Sequence, residues 1–385
     1  MALSSDPDRG LTPPHPDELE VSVFGPGYGE CVLVHLGANR WLLVDSCLDV
    51  QSREPAALAY LRQIGVDPAT AVVQIVATHW HDDHIVGLAQ TVQKCQVATL
   101  AISEALRPKE FMTLVSAYSR TGGWETGSGA NEMATVFREL KRRAGGAGSV
   151  RFALADRRLW RGDSPAAEVW ALSPSDRMCT DARLSFGRLL PKPGLAVGRL
   201  PDVTPNEASV VLWLRIGSAS VLLGADLEEH GHQHSGWSGV LSSTTRPEGV
   251  ATVFKVPHHG SHNADHPEVW RRMLAPEPVA VVTPFLRGGV ALPTEEDRDR
   301  IQARTPNGFA TGIVLNRVST RRDPAVERTL NEVVRQRRPT CASSTGHVRV
   351  RMGTTPGSGT PEVLLRNGAF RLGATLGSRP GTRIR

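Results

Sequence analysis

One short segment constrains this chain more than any other. Thr78-His79-Trp80-His81-Asp82-Asp83-His84 puts three histidines and two aspartates within six residues. It follows AVVQIVAT (71–78), an apolar, β-branched run that reads as a buried strand. It precedes IVGLAQTVQKC, which has a helical pattern. A loop at the C-terminal end of a strand is where α/β proteins place their sites. In an extended loop His79 and His81, two apart, point the same way toward one ion. Asp83 and His84 turn toward a neighbouring position as the helix begins. A lone histidine in such a loop is usually just a solvated polar group. So many polar groups beside a core require an ion or partners.

The rest of the chain reads as alternating strands, helices and hairpins. LEVSVFG (19–25), CVLVHL (31–36) and WLLVD (41–45) form a strand meander separated by Gly and Asn punctuation. Residues 55–65 are helical, with Pro55 early and Gly65 as a stop. Residues 130–143 read as a helix and 167–172 as a strand. SVVLWLRIG (209–217) and SVLLGAD (220–226) form a hairpin around Gly217. VFKVP (253–257) leads into a second His-rich loop, and VAVVTPF (279–285) is a further strand. Residues 344–372 read as a last hairpin. No internal repeat marks a solenoid or propeller. The alternation predicts an α/β layered sandwich.

These residues together resemble the metallo-β-lactamase superfamily. The resemblance spans roughly residues 20–285 and implies an αββα four-layer sandwich. Composition sets off a polar leader (1–18) and a basic tail (373–385) from the hydrolase domain (19–372) that the resemblance implies. Within the domain it suggests an insertion or flap over 105–200 and a C-terminal β-hairpin extension. The family places an Asp at the end of an early strand, matched by Asp45 in LLVDS, and a bridging Asp in a Gly-x-Asp turn, matched by Asp226. It ends with a His after a later strand, and FKVPHHGSH offers His258 and His259. Family loops align better with His259, which leaves His258 as a substrate-facing or supporting residue.

The family usually has a further His just before the hairpin that carries the bridging Asp. No His occurs between His84 and Asp226, and Asn206-Glu207-Ala208-Ser209 stands at the matching place. The combination of Asn-x-x-Ser, Gly-x-Asp and Pro-His-His-Gly-Ser resembles the hydrolase domain of competence-type DNA-uptake proteins, which cleave phosphodiesters. The resemblance implies two divalent ions, Zn²⁺ or Mn²⁺, holding a hydroxide between them. One would use His79, His81 and Asp226, with Asn206 a weak substitute for the missing His. The other would use Asp83, His84, Asp226 and His259. Asp45 would sit behind the ligands and hold a His ring by its N–H. Gly260 and Ser261 would bring backbone N–H groups near bound oxygens. Lys255 reads either as a phosphate partner or as a strand lysine reaching solvent. Catalytic roles would fall to Asp83, His258 and Lys255.

Other clusters read as ordinary structure. His230, His232 and His234 lack a carboxylate or Cys at completing spacing and read as an exposed loop. Gly25-Pro26-Gly27-Tyr28-Gly29-Glu30 has glycines after a strand but no following helix, so it is a hairpin turn and not a dinucleotide site. The eight Trp read as core or rim.

Charge bears on the substrate. The formal net charge is +5, and residues 301–385 contain fifteen Arg, no Lys and four acids. That asymmetry favours an anionic substrate, with nucleic acid as the expected partner. Five scattered cysteines without CxxC spacing exclude a zinc ribbon and a disulfide framework. No run of about 18 apolar residues occurs, so no membrane partner and a cytoplasmic location are expected. The expected activity is metal-dependent phosphodiester hydrolysis, most plausibly by a nuclease. The alternatives are a small-molecule (thio)ester, lactam or cyclic-nucleotide hydrolase, and a metal-binding regulatory module of a multiprotein system.

Overall fold

The computed structural model describes residues 2–3, 12–25, 27–107, 111, 113, 129–143, 150–190, 205–287, 289–312, 344–358 and 360–374. The Arg-rich stretch 313–343 and nearly all of the basic tail lie outside the described residues.

Seven strands open the chain: β1 (Ala2–Leu3), β2 (Glu18–Gly25), β3 (Cys31–His35), β4 (Trp41–Val44), β5 (Val72–Ala77), β6 (Thr99–Ser103) and β7 (Val150–Ala153). Then come β8 (Arg157–Asp163), β9 (Ala166–Ala171), β10 (Leu212–Ile216), β11 (Ala219–Leu223), β12 (Ala251–Lys255) and β13 (Leu274–Val282). The last are β14 (Phe285–Arg287), β15 (Val290–Leu292), β16 (Gly308–Ala310), β17 (Gly346–Gly353), β18 (Glu362–Arg366) and β19 (Phe370–Arg371). They form a nine-stranded sheet in the order β1-β18-β17-β2-β3-β4-β5-β6-β7 and an eight-stranded sheet in the order β19-β16-β13-β12-β11-β10-β9-β8. β14 and β15 pair only with each other.

Side-chain alternation explains the layering. Along β3, Val32 and Val34 enter the core between the sheets, where Leu19, Val21 and Val23 of β2 meet Leu212, Leu214, Val221 and Val253 of the second sheet. Cys31 and Leu33 face the other way, onto the helices Ala56–Gln63, Leu88–Lys94 and Gly129–Arg142 through residues such as Leu58, Leu61, Val92 and Val136. The second sheet repeats the arrangement. Trp213, Leu222 and Phe254 pack outward on Trp237, Val240, Val269 and Ile301, from the helices Gly236–Ser242, Pro267–Arg272 and Glu295–Arg304. Period-two strands with both faces apolar must be covered on both sides. The result is the αββα four-layer sandwich. Burying each such Val, Leu or Phe contributes roughly 1.5–3 kcal/mol.

Two expectations change and one holds. Residues 150–171, inside the stretch read as an insertion or flap, build the sandwich itself, since β7 edges the first sheet and β8 and β9 enter the second. The C-terminal hairpin extension forms as expected and is integral to the first sheet. β17 lies between β18 and β2 and pairs with β2 from Gly346↔Gly25 to Gly353↔Glu18, while β19 joins the second sheet. Gly346 permits this closure, because a Cβ there would meet the Thr311 carbonyl oxygen at 1.5 Å. The polar leader also supplies β1, which runs parallel to β18. None of the described helices is long and apolar enough to cross a membrane.

Candidate metal centre

Strand ends assemble the site. β4 and β5 are parallel neighbours, and so are β11, β12 and β13, so within each group the C-terminal ends lie together. Asp45 follows β4, Thr78 to His84 follow β5, Asp226 follows β11, His259 follows β12 and Thr283 follows β13. Four non-glycine residues at these ends take left-handed backbone: Asp45 (φ 59°), Ala225 (45°), His258 (46°) and His259 (53°). Such positions cost on the order of 1–3 kcal/mol each and persist where surrounding contacts over-determine them.

Asp83, His84, Asp226 and His259 meet in the buried space between the two sheets' strand ends, and His79 joins them. His84 Nε2 is 3.3 Å from Asp226 Oδ2 and 3.7 Å from Asp83 Oδ2. His259 Nε2 is 3.2 Å from Asp83 Oδ2 and 3.7 Å from Asp226 Oδ2. His79 Nε2 is 3.9 Å from Asp226 Oδ2. Asp226 is therefore the residue within 4 Å of all three rings.

The remaining ring nitrogens fix the tautomers. His84 Nδ1 lies 2.7 Å from Asp45 Oδ2 and donates to it. Thr78 Oγ1 donates to the same Asp45 Oδ2 at 2.7 Å, and His79 Nδ1, 2.9 Å away, donates to Thr78 Oγ1. His259 Nδ1 lies 3.2 Å from the Thr283 carbonyl and donates to it. Each ring then turns its Nε2 toward the carboxylates, the atom that metal-ligating histidines present once it is deprotonated.

Electrostatics follow from crowding. Burial opposes charge on His84, yet Asp226, Asp83, Glu30 and Asp45 raise its pKa well above the ordinary histidine value. Burial likewise opposes ionisation of Asp83 and Asp226, but the adjacent rings, His84 foremost, hold both below the usual carboxylate range. His79 moves the other way, lowered by burial and then by His84.

The residues fit a divalent cation. Glu30, Asp45, Asp83 and Asp226 are four buried carboxylates around one buried lysine, Lys255, and two rings, His84 and His259, whose pKa values they raise against burial, so negative groups still outnumber positive ones. His79 Nε2, His84 Nε2 and Asp226 Oδ1 are buried without a hydrogen-bond partner. Two sets of donor atoms lie within 4.8 Å of one another: Glu30, His84, Asp226 and His259, and Asp45, His79 and His84. Excess charge and orphaned donors in one buried place are what a bound cation relieves.

Several sequence expectations look different in place. His81 is half-buried beside His79, ring centroids 5.2 Å apart, and belongs to neither donor set. Of the two tandem histidines, His259 enters the cluster. His258 sits at the rim, 3.4 Å from Glu228 and 3.1 Å from Asn263 Oδ1. Asn206 donates to Glu228 at 2.9 Å and lies 3.3 Å from His258 Nε2, and its Oδ1 is buried and unpartnered. Ser261 caps the turn after His259, at the end of the segment that carries that ring.

Lys255 corrects both of its readings. It is 1% exposed, so it neither reaches solvent nor stands open to a phosphate. Val253, two residues earlier, packs between the sheets, so Lys255 must point there too. Its ammonium pairs with Glu30 Oε1 at 2.5 Å and donates to the Ala225 carbonyl at 3.2 Å. His230, His232 and His234 are exposed, as expected.

The sequence reading missed Glu30, Thr78 and Thr283. Glu30 ends the glycine turn between β2 and β3, where it accepts from Lys255 and from the Thr283 hydroxyl and lies 3.6 Å from His259 Nδ1. A carboxylate placed between a glycine and an apolar strand was the available signal.

Residues 24–152 match the model of the metallo-beta-lactamase superfamily. No curated protein matches the chain. Among solved structures the chain is similar to the metallo-beta-lactamase fold protein YhfI from Bacillus subtilis, at 15% identity and TM-score 0.38, over 76% of this chain and 95% of that one. MEM-A1, a subclass B3 metallo-beta-lactamase from a soil metagenome library, is 15% identical at TM-score 0.32, over 65% and 83% respectively. CmlA, a diiron beta-hydroxylase from Streptomyces venezuelae, is 16% identical at TM-score 0.27, over 55% and 30%.

Proposed function

For a chain whose residues 24–152 match the model of the metallo-beta-lactamase superfamily, we propose a metal-dependent hydrolase of phosphodiester bonds, with nucleic acid as the substrate class. The observation that carries this reading is the position of Asn206. It stands where a histidine is usual in the family and joins the Asn-x-x-Ser turn to the His258–His259 loop through its 3.3 Å contact with His258. That substitution belongs to the motif combination resembling phosphodiester-cleaving domains. The basic excess over residues 301–385 favours the same class of substrate.

His79, Asp83, His84, Asp226 and His259 would hold the divalent ions, with His81 at the edge of the set. With ions bound, these residues would gain Lewis-acid polarisation of the phosphoryl group and a nucleophile at neutral pH. Asp45 and Thr78 keep the His84 and His79 rings oriented from behind. Thr283 does the same for His259. His258, half-buried and held near Glu228, would carry a proton to the departing oxygen. Zn²⁺ and Mn²⁺ both suit this mixed N/O donor set.

A substrate panel tests the reading. Plasmid, oligonucleotide and bis(p-nitrophenyl) phosphate should be cleaved with added Zn²⁺ or Mn²⁺ and not with chelator. Asp226→Ala should lower the rate at least ~10²-fold and reduce bound metal together. Hydrolysis of a generic ester or lactam with no phosphodiester cleavage would make the protein a small-molecule hydrolase. Metal binding with neither activity would make it a regulatory module.

A further inference from the structure

The mouth of the centre is built from two segments that the mechanism above does not use. One is the turn between β2 and β3, the other the detached hairpin β14–β15. They are tied together: Leu286 N–H donates to the Gly27 carbonyl at 2.9 Å, and the Tyr28 and Phe285 rings lie 5.7 Å apart. The Arg287 guanidinium sits 5.2 Å over the Tyr28 ring and also hydrogen-bonds the Tyr28 hydroxyl.

This mouth adjoins the donor cluster at three points. The Phe285 ring is 5.0 Å from that of His259. Arg287 Nη1 is 3.6 Å from Asp82, the residue before Asp83. The same turn that carries Tyr28 ends in Glu30, whose N–H donates to the Asp83 carbonyl at 2.9 Å.

Arg287 combines preorganisation with availability. Its side chain is 55% exposed although the aromatic ring and the phenol hold it in place. Its contact with Asp82 at 3.6 Å is longer than the roughly 2.7–2.9 Å of a close charge-assisted bond, so an arriving anion gives up little by replacing it. A planar fork suits a phosphate, and an aromatic face beside it suits a base.

We propose that Tyr28, Phe285 and Arg287 form a subsite for the nucleotide next to the scissile bond, with Arg287 taking its phosphate and the Phe285–Tyr28 pair its base. This rests on the phosphodiester reading and extends it. The β14–β15 hairpin is then a specificity element, and the protein prefers a polynucleotide over an isolated diester. Single strands suit the subsite best, because their bases are free to stack.

The test compares kcat/KM for a ten-residue oligothymidylate and for bis(p-nitrophenyl) phosphate, which has no neighbouring phosphate. Arg287→Ala should lower the ratio of the two about tenfold, mainly through KM on the oligonucleotide. It should also reduce the slope of log affinity against log salt by about 0.7, the loss of one phosphate contact on a single strand. Arg287→Lys should restore the salt slope but only part of the ratio. Phe285→Ala should lower oligonucleotide affinity about tenfold with the salt slope intact, and metal content should stay at the parental level in all three variants. An unchanged ratio and slope in Arg287→Ala, with the parent active on both substrates, overturns the subsite alone. A parent that cleaves neither substrate overturns the phosphodiester reading and the subsite with it.

Discussion

The two sheets hold their histidines by different means. On the first sheet's side, His84 donates directly to the Asp45 carboxylate at 2.7 Å, and Thr78 braces the same oxygen. On the second sheet's side, His259 donates to the neutral Thr283, and the carboxylate, Glu30, stands behind that threonine. Lys255 then neutralises Glu30 from below. A carboxylate directly on a ring raises its basicity as a ligand, whereas one screened by a hydroxyl and an ammonium raises it less. On that ground the first half would hold an ion the more tightly of the two. The second carries its own internal cation, which spares it part of the charge that a bound ion must otherwise offset.

The largest test of this contrast is removal of the internal cation. Lys255→Met takes away the ammonium that pairs with the buried Glu30 and leaves it the Thr283 hydroxyl, which should destabilise the metal-free protein by up to about 3 kcal/mol in urea denaturation. The double change Lys255→Met with Glu30→Gln should recover much of that loss. If Lys255→Met alone is neutral, Glu30 is not held by that pair.

A smaller effect separates the two histidine supports. Asp45→Asn should weaken metal binding about 10–100-fold in a chelator competition, the usual consequence of losing a carboxylate behind a ligating ring. Thr283→Val keeps the backbone carbonyl that His259 donates to, so its loss should be only a few-fold. Equal losses would erase the distinction between the halves.

The smallest effect comes from a histidine outside the centre. His35 is buried, its Nδ1 donates to the Glu18 carbonyl at 2.7 Å, and its Nε2 accepts from Asn39 N–H at 3.1 Å. Burial lowers its pKa to about 4. The neutral ring is therefore favoured on folding, and its contribution is complete above the unfolded value of about 6.5. It is lost as pH falls toward about 4. Stability should drop by about 1 kcal/mol between pH 7 and 5.5 on this account. The drop should be smaller by that amount in His35→Gln, and this difference between parent and variant should be the same with metal or chelator. A drop that depends on metal would assign it to the centre instead.

Much of the centre was legible where its residues are neighbours in sequence. His79, Asp83 and His84 lie on one turn after one strand, so strand, loop and helix signals place them together. Asp45, Asp226 and His259 required the resemblance, because nothing local joins the ends of β4, β11 and β12. The helix Ala56–Gln63 and the β10–β11 hairpin were equally plain, being set by Pro55, Gly65 and Gly217. Glu30 escaped notice because a turn glutamate looks solvated until Lys255 is brought against it from 225 residues away.

The amino-acid sequence by itself determined the strand alternation, the His-x-His-x-Asp-His loop and the Asn at the usual histidine position. These depend on side-chain period and on residues a few positions apart. Only the tertiary structure decided that residues 150–171 and β17 belong to the sheets, that Lys255 turns inward, and that His259 enters the centre while His258 stays at its rim. Each of those outcomes depends on which face of a strand another sheet covers, and long-range packing alone supplies that cover.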